Sequence, residues 1–319
     1  MRVLIVGAGA VGQVFGRHLA LGGADVTFYV KDKYAAEARA GFPMYPLNVK
    51  RHPREQFDGF GVMTTPAEVA AATWDQVFLT VSSTALRAGT WLGELAAATK
   101  QATVVCLAPN LGDRAFVLDH VAADRIVDGT IGFVSYHAPM PGETRFTEPG
   151  MAYWFPPMSP SPFCGSDARV GAVVDALRRG KLPAKRVRDL TSTAPFPSAM
   201  LYAYISALEG AGWSFATLRQ GDRLATATRG ARQMFAIVGR QLERKPPLGI
   251  RLAARPTVIR LVLIAQRRVV PLDLEMFFRV HFTKVGDQTR HGIAQYVALG
   301  QAAGLPTDAI ETLLAYVAA

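Results

Sequence analysis

The sequence is poor in cysteine and contains no long hydrophobic run. Its two cysteines, Cys106 and Cys164, are too few for a disulfide framework or for a zinc site built from cysteines. The longest apolar runs, such as residues 261–265, are far shorter than the roughly 20 residues that cross a membrane. The apolar pattern of the first strand begins directly after Met1, without a basic and apolar leader. We therefore expect a cytoplasmic protein without a membrane partner.

Acidic residues are scarce in one stretch of the chain. Residues 219–268 contain twelve Lys or Arg against only Asp222 and Glu243, which accounts for the whole net charge of +10. Basic runs are usually solvated helix faces, although such a surplus also attracts anionic ligands or an acidic partner. No helix-turn-helix, zinc-finger or base-stacking signature accompanies it, so we expect no nucleic-acid partner. The six histidines are scattered without the spacing of metal ligands, so we expect no metal.

The order of the apolar patterns predicts two domains. Short apolar runs alternate with helical periodicity in the first part of the chain, which is typical of a parallel sheet covered by helices. From residue 198 onward the pattern is helical. We therefore predict an α/β fold, in which an N-terminal Rossmann domain with a doubly wound sheet (residues 1–192) precedes an all-helical domain (residues 193–319). A chain of 319 residues is long enough for two hydrophobic cores.

The individual elements are predicted from the same patterns and from Gly and Pro breaks. In the first domain we expect strands at residues 3–6, 26–30, 76–81, 103–107 and 184–189, strand-like segments with a hairpin at 142–144 within 129–155, a loop at 156–166 and a helix at 168–179. After a linker at 191–197, we expect helices at residues 199–218, 224–242, 257–267, 274–304 and 307–317.

A glycine-rich turn follows the first strand and opens a helix. Gly7, Gly9 and Gly12 fit the pattern G-x-G-x-x-G, with Ala10 and Val11 inside it. In dinucleotide-binding domains the first glycine makes the tight turn, the second admits the pyrophosphate, and the third allows close packing of helix on strand. Free backbone N–H groups at the positive end of the helix then bind the phosphates. The order of strand, turn and helix predicts a dinucleotide site.

The choice of cofactor depends on the residues after the second strand. In NAD-binding domains an acidic residue there binds the ribose diol. Here Lys31 is the first residue past the predicted strand, and Lys33 follows closely. Both can pair with a 2′-phosphate, which predicts NADP(H). The alternative is that Asp32 turns inward and binds an unphosphorylated ribose.

Several segments together resemble the ketopantoate reductase family: the opening through Lys31, residues 78–81, residues 107–110 and residues 301–307. The resemblance implies a Rossmann domain followed by a helical domain, with the substrate between them. It implies that Lys31 binds the 2′-phosphate of NADP. It also implies that Val81, Ser82 and Asn110, at neighbouring strand ends, contact the cofactor, and that Asn110 lies near nicotinamide and substrate.

The catalytic residues of that family are missing from the matching positions. Ser198, Tyr202 and Ser206 stand where the family has a lysine and two asparagines, Gln288 stands at the position of its glutamate, and Ser82 replaces a further lysine. Ketone reduction needs a proton donor near the oxygen, and Tyr202 can supply a phenolic proton while the serines hold a polar substrate. Otherwise Tyr202 is a core aromatic residue. The candidate catalytic residues are thus Asn110, Tyr202, Ser206 and Gln288.

Other polar residues lie at helical spacing near Gln288. Asp287 can orient His291 as a general acid or base, with Lys284 on the same face. A solvated helix face is the other interpretation. Glu209, one turn after Ser206, is a further candidate carboxylate.

Three functions are consistent with the sequence. The first is an NADPH-dependent oxidoreductase that reduces a small keto or imino compound. Its substrate is either neutral or anionic. The second is a true 2-dehydropantoate 2-reductase. The third is a non-catalytic NADP-binding regulatory protein, whose helical domain forms a homodimer or binds an acidic partner; a homodimer is also compatible with the enzyme.

Overall fold

The structure is a computed structural model that describes residues 1–107 and 112–317. The chain divides into two compact units, Met1–Leu190 and Thr191–Ala319. We call them the first and the second domain.

The first domain is built from strands and helices in alternation. Its strands are β1 (Arg2–Val6), β2 (Asp25–Tyr29), β3 (Phe42–Pro46), β4 (Glu55–Phe57), β5 (Gly61–Met63), β6 (Gln76–Leu79), β7 (Thr103–Cys106), β8 (Ile126–Gly129), β9 (Val134–Ala138), β10 (Gly150–Trp154), β11 (Ser161–Cys164) and β12 (Ala184–Arg186). Its α-helices are α1 (Ala10–Leu21), α2 (Ala35–Arg39), α3 (Pro66–Ala70), α4 (Ser83–Leu86), α5 (Trp91–Ala98), α6 (Asp113–Leu118) and α7 (Asp167–Arg179). Short 3₁₀ turns cover Asp32–Tyr34 and Ala123–Arg125.

The main sheet of the described residues has eight strands in the order β12-β11-β8-β7-β6-β1-β2-β5. Strand β1 pairs in parallel with β2 on one side and with β6 on the other. The chain therefore proceeds outward from β1 in one direction and then returns to its other side. This reversal between β1 and β6 is the switch point at which open parallel sheets bind ligands. The predicted α/β class with a doubly wound sheet is confirmed.

Both faces of the main sheet are buried, which explains why its central strands are continuous apolar runs. On β1, Val3 and Ile5 join one hydrophobic cluster with Phe15 of α1. The alternate residues Leu4 and Val6 join a cluster on the opposite face. Successive side chains of a strand point to opposite faces, so one short segment contributes to both cores.

A second sheet, with the strand order β4-β3-β10-β9, was not distinguished in the sequence. The antiparallel pair β9 and β10 lies within the region predicted to be strand-like. The predicted loop at residues 156–166 was wrong in part, because β11 lies inside it and pairs with β8 and β12. Phe163 of β11 is fully buried. Pairing and burial of this strand outweigh the local preference of a segment rich in proline and serine for loop structure.

The second domain is helical, as predicted. Its helices are α8 (Pro195–Gly210), α9 (Phe215–Leu218), α10 (Arg223–Gln241), α11 (Leu248–Ala253), α12 (Pro256–Val269), α13 (Leu274–Lys284), α14 (Gly286–Ala302) and α15 (Asp308–Val317). Helix α10 packs against α8 and α15. The predicted helix at 199–218 is divided into α8 and α9 by residues 211–214. The predicted helix at 274–304 is divided into α13 and α14 by Val285. In the part of the chain that the structure describes, no helix has the length and apolar character to cross a membrane.

Candidate functional site

The turn after β1 has the backbone geometry that the glycine pattern predicts. The N–H of Gly7 donates to the carbonyl of Tyr29 at 2.9 Å, and its φ of +96° is in the region that favours glycine. A Cβ added to Gly7 would lie 3.0 Å from Cγ1 of Val81. The turn thus lies beside the carboxyl ends of β1, β2 and β6.

Gly12 and Gly9 differ in what surrounds them. A Cβ on Gly12 would lie 2.1 Å from the carbonyl oxygen of Gly7 and 2.7 Å from Oγ1 of Thr80, so only glycine allows α1 this close to β1. A Cβ on Gly9 would meet no atom of residues 1–107 or 112–317 within 4 Å. Protein packing therefore does not require a glycine at position 9, whereas a ligand that approaches the backbone would.

The first turn of α1 presents free backbone donors next to that open space. The helix begins at Ala10 after Gly9, and neither a side-chain cap nor an acidic residue occupies its first turn. The first N–H groups of a helix have no intrahelical partner and lie at its positive end. Ala10 and Val11 are half-buried. These residues fit the pyrophosphate of a dinucleotide.

Thr80 is a component of this turn that the sequence did not single out. Its hydroxyl donates to the carbonyl of Val6 at 2.8 Å and lies 3.0 Å from the carbonyl oxygen of Gly7. It therefore holds β6 to the turn that precedes α1. The only available signal was its position at the end of β6, directly before Val81.

The segment after β2 places its charged residues at the surface. Lys31 is exposed and precedes the 3₁₀ turn, and its carbonyl accepts from the N–H of Tyr34 at 2.8 Å. The ammonium of Lys33 lies 4.9 Å from the ring centroid of Tyr34. Asp32 is also exposed. The structure thus places Lys31 and Lys33 at the carboxyl ends of the strands, where the glycine turn also lies.

The loop after β6 is held to the start of α6. Ser82 caps α4, where its hydroxyl accepts from the N–H of Ala85 at 3.3 Å. The hydroxyl of Ser83 donates to the fully buried carboxylate of Asp113 at 2.5 Å, and Arg87 forms an ion pair with the same carboxylate. These contacts fix the loop that carries Val81 and Ser82. Asn110, the other residue predicted near the nicotinamide, lies outside the described residues.

In the second domain, the three predicted polar residues of α8 are in different environments. The hydroxyl of Ser198 donates to the carbonyl of Ala194 at 3.2 Å. The hydroxyl of Ser206 donates to the carbonyl of Tyr202 at 2.7 Å, and Ser206 is fully buried. Tyr202 is half-buried. The two serine hydroxyls thus bond within their own helix.

Tyr202 packs against α14, the helix that carries Gln288. The rings of Tyr202 and Tyr296 have centroids 6.2 Å apart. A Cβ added to Gly292 would lie 2.8 Å from the Tyr202 hydroxyl oxygen, so this glycine allows the close approach of the phenol. Gln288 is half-buried and lies one turn before Gly292, on the same helix face. Burial raises the pKa of Tyr296, and a charge on Tyr202 would raise it further.

Of the two interpretations of Asp287 and His291, the structure favours the solvated helix face. The carboxylate of Asp287 pairs with Arg290, three residues later, and His291 is exposed. Neighbours at i and i+3 share a helix face, and the arginine competes as a charged partner. Glu209 of α8 is half-buried; burial raises the pKa of its carboxyl, and the nearby positive charge of Arg290 opposes that effect. Among the described residues, no group of three or more His, Cys, Asp or Glu is placed to hold a metal ion.

The fold of the whole chain is found in solved oxidoreductases. D-mandelate dehydrogenase, in a ternary structure with NADH and anilino(oxo)acetate, has a TM-score of 0.71 at 14% identity, covering 99% of this chain and 97% of its own. The 2-dehydropantoate 2-reductase from Geobacter metallireducens GS-15 has a TM-score of 0.70 at 17% identity, covering 99% of both chains. A dimeric ketopantoate reductase from Staphylococcus aureus has a TM-score of 0.68 at 11% identity, covering 99% of this chain and 97% of its own.

Sequence comparison finds one family similarity, which is confined to the first domain. No curated protein matches the chain at a significant level. Residues 3–160 match the family model described as ketopantoate reductase PanE/ApbA, and this region contains the glycine turn, Lys31 and the ends of β6 and β7. Over residues 3–160 of its first domain, the chain is therefore similar to the ketopantoate reductase PanE/ApbA family.

Proposed function

We propose that this protein is an NADPH-dependent oxidoreductase that reduces a small keto or imino compound. The observation that carries the proposal is the turn from Gly7 to Gly12, where close packing leaves only position 9 open beside the free N–H groups of α1. The names of the structural neighbours support a keto acid as substrate, since one holds anilino(oxo)acetate and two are ketopantoate reductases.

Lys31 is the residue that we assign to NADP. It is exposed at the carboxyl edge of the sheet, where its ammonium can pair with a 2′-phosphate, and Lys33 adds a second positive charge near it. The competing assignment gives Asp32 to the ribose diol of NAD, and the mandelate dehydrogenase structure contains NADH. Charge favours the first assignment, because two lysines flank the single carboxylate.

Tyr202 is the proton donor that we assign to the reaction. A bound nicotinamide supplies the hydride, and the substrate oxygen or nitrogen then needs a proton. The Tyr202 hydroxyl lies beside Gly292, one turn from Gln288, so the phenol can donate while the Gln288 amide hydrogen-bonds the substrate. Ser206 fixes the carbonyl of Tyr202, and a direct substrate contact of Ser206 stays a prediction. A role of Asn110 near the nicotinamide stays a prediction, since Asn110 lies outside the described residues.

The first experiment is titration of the protein with NADPH and with NADH, followed by nicotinamide fluorescence. We expect NADPH to bind more tightly, and we expect Lys31→Ala to weaken NADPH at least tenfold while leaving NADH unchanged. Lys185→Ala is the matched control, since Lys185 is an exposed lysine on β12. In the strand order of the main sheet, β12 is the outermost strand on the side away from β2.

Three outcomes would contradict parts of this proposal. Loss of NADH affinity in Asp32→Ala, with NADPH binding unaffected by Lys31→Ala, would favour NAD. Binding of NADPH without oxidation by any of a panel of keto acids, ketones and imines would favour a regulatory protein. Turnover with ketopantoate would identify a true 2-dehydropantoate 2-reductase.

A homodimer formed through the second domain is also proposed. Leu261, Val262 and Val269 of α12 have exposed fractions of 67%, 55% and 61%, and large exposed apolar side chains grouped on one helix are typical of interfaces. The Staphylococcus aureus neighbour is dimeric. Sedimentation equilibrium of the wild type and of Leu261→Glu tests this: a monomeric wild type would contradict it.

A further inference from the structure

The second domain contains a cavity separate from the residues assigned above. It has a volume of about 690 Å³ and lies between the second half of α10, residues 243–246 and α11. Pockets of roughly 300–1,000 Å³ are the size that holds small organic ligands. The cavity is lined entirely by residues of one domain.

The lining of the cavity is strongly basic. It includes five cationic side chains and one carboxylate, that of Glu243, which gives a net charge of 5 − 1 = +4. The cationic residues are Arg232, Arg244, Lys245, Arg251 and Arg255. Within the described residues, Arg232, Arg251 and Arg255 form no ion pair or side-chain hydrogen bond. A concave surface with uncompensated charge of one sign concentrates ions of the other sign.

The same cavity also has an apolar part. Phe235 and Ala254 are buried in its wall, whereas Leu248 is 67% exposed and Leu252 is 39% exposed. Both leucines therefore leave apolar surface in contact with water. Removing such surface from water is favourable, so a ligand with an apolar body would gain affinity here.

The apolar and basic groups are arranged on a common helix face. Leu248, Arg251 and Leu252 of α11 have the spacing i, i+3 and i+4, which places them side by side. Arg232 reaches the cavity from α10. An inorganic anion would use the arginines but would leave the leucines uncovered. A neutral hydrophobic molecule would leave the arginines unpaired.

We propose that this cavity binds an anionic amphiphile, a molecule with one carboxylate, sulfonate or phosphate head and an apolar body. The head pairs with Arg232, Arg251 and Arg255, and the body covers Leu248 and Leu252 and lies against Phe235. The basic stretch at residues 219–268 then has a function distinct from cofactor binding.

The test uses 1-anilinonaphthalene-8-sulfonate, which has a sulfonate head and a fluorescent aromatic body. We expect saturable binding with one probe per chain, displaced by decanoate and not by decanol or inorganic phosphate at the same concentration. The double variant Arg251→Gln/Arg255→Gln should weaken the probe at least tenfold. Leu248→Ser/Leu252→Ser should weaken decanoate similarly.

The matched control is Arg268→Gln/Arg279→Gln, which removes two exposed arginines that do not line the cavity. Any of three results would overturn the proposal. These are probe binding without saturation, equal weakening of probe binding in both arginine double variants, and displacement of the probe by inorganic phosphate as well as by decanoate. NADPH affinity should be the same in all these variants. Failure of the cavity proposal is therefore distinguishable from failure of the cofactor proposal.

Discussion

Protonation of His18 should destabilise the first domain at mildly acidic pH. His18 lies on α1 and is 5% exposed. Its Nδ1 is 2.6 Å from the carbonyl oxygen of Gly180, which requires Nδ1 to carry the proton of the neutral ring. Its Nε2 is buried without a hydrogen-bond partner among the residues that the structure describes, against the rings of Tyr153 and Phe155. A second proton on Nε2 would thus create a buried charge whose N–H has no acceptor.

The magnitude follows from the pKa. The pKa of His18 is lowered from 6.5 to about 4, mainly by burial; the positive charge of Arg17 contributes to the lowering, and the Gly180 carbonyl opposes it. Between these two pH values the unfolded chain binds the proton and the folded chain does not, so the free energy of unfolding falls as the pH is lowered. One pKa unit corresponds to about 1.4 kcal/mol. The expected loss between pH 7.5 and pH 4.5 is therefore about 2.5 kcal/mol.

Urea unfolding at both pH values, followed by circular dichroism and tryptophan fluorescence, measures this loss. Fluorescence reports mainly on the first domain, which contains Trp74, Trp91 and Trp154, three of the four tryptophans. In His18→Gln the loss between the two pH values should be smaller by about 2.5 kcal/mol than in the wild type. His120→Gln, at an exposed histidine of the same domain, should behave like the wild type. An equal pH dependence in the wild type and His18→Gln would refute the reasoning.

Four further substitutions test the two domains. Gly12→Ala should lower stability by about 1–3 kcal/mol through overpacking and abolish NADPH binding. Gly9→Ala should weaken NADPH binding without changing the urea midpoint, because its Cβ meets no atom of the described residues. Equal effects of both substitutions would contradict the assignment of Gly9 to the ligand and of Gly12 to packing. Asp113→Asn should destabilise the first domain by roughly 1–3 kcal/mol, since Arg87 and Ser83 lose a charged partner, and it should raise the Kd of NADPH. An unchanged stability together with an unchanged Kd would show that other contacts hold the loop after β6. Tyr202→Phe should lower kcat by about 100-fold with thermal unfolding within a few degrees of the wild type, and an unchanged kcat would exclude the phenol as proton donor.

The proposed cofactor half of the site was accessible from the sequence because it depends on neighbouring residues. A β-branched apolar strand, three glycines at fixed spacing and a helix form within about twenty residues, and the roles of Gly7 and Gly12 follow from backbone sterics alone. Thr80 was missed because its contact with Gly7 joins residues 73 positions apart in the chain. Nothing in the local pattern of β6 distinguishes a threonine that holds the turn from one that faces solvent.

The second domain shows the opposite balance. Helical periodicity predicted most of its helices, but it did not predict the break at Val285, nor that Asp287 pairs with Arg290 in place of His291. Periodicity reports which side of a helix is apolar, and it does not choose among several charged neighbours on one face.

The sequence by itself determined the class of fold, the position of the glycine turn and the charge at the end of β2, because these depend on local backbone geometry and on the spacing of apolar residues. Only the tertiary structure decided that β11 forms inside a segment rich in proline, that Gly292 admits the Tyr202 phenol to α14, and that arginines and exposed leucines of α10 and α11 enclose one cavity. Each of these depends on segments far apart in the chain, whose packing no local pattern encodes.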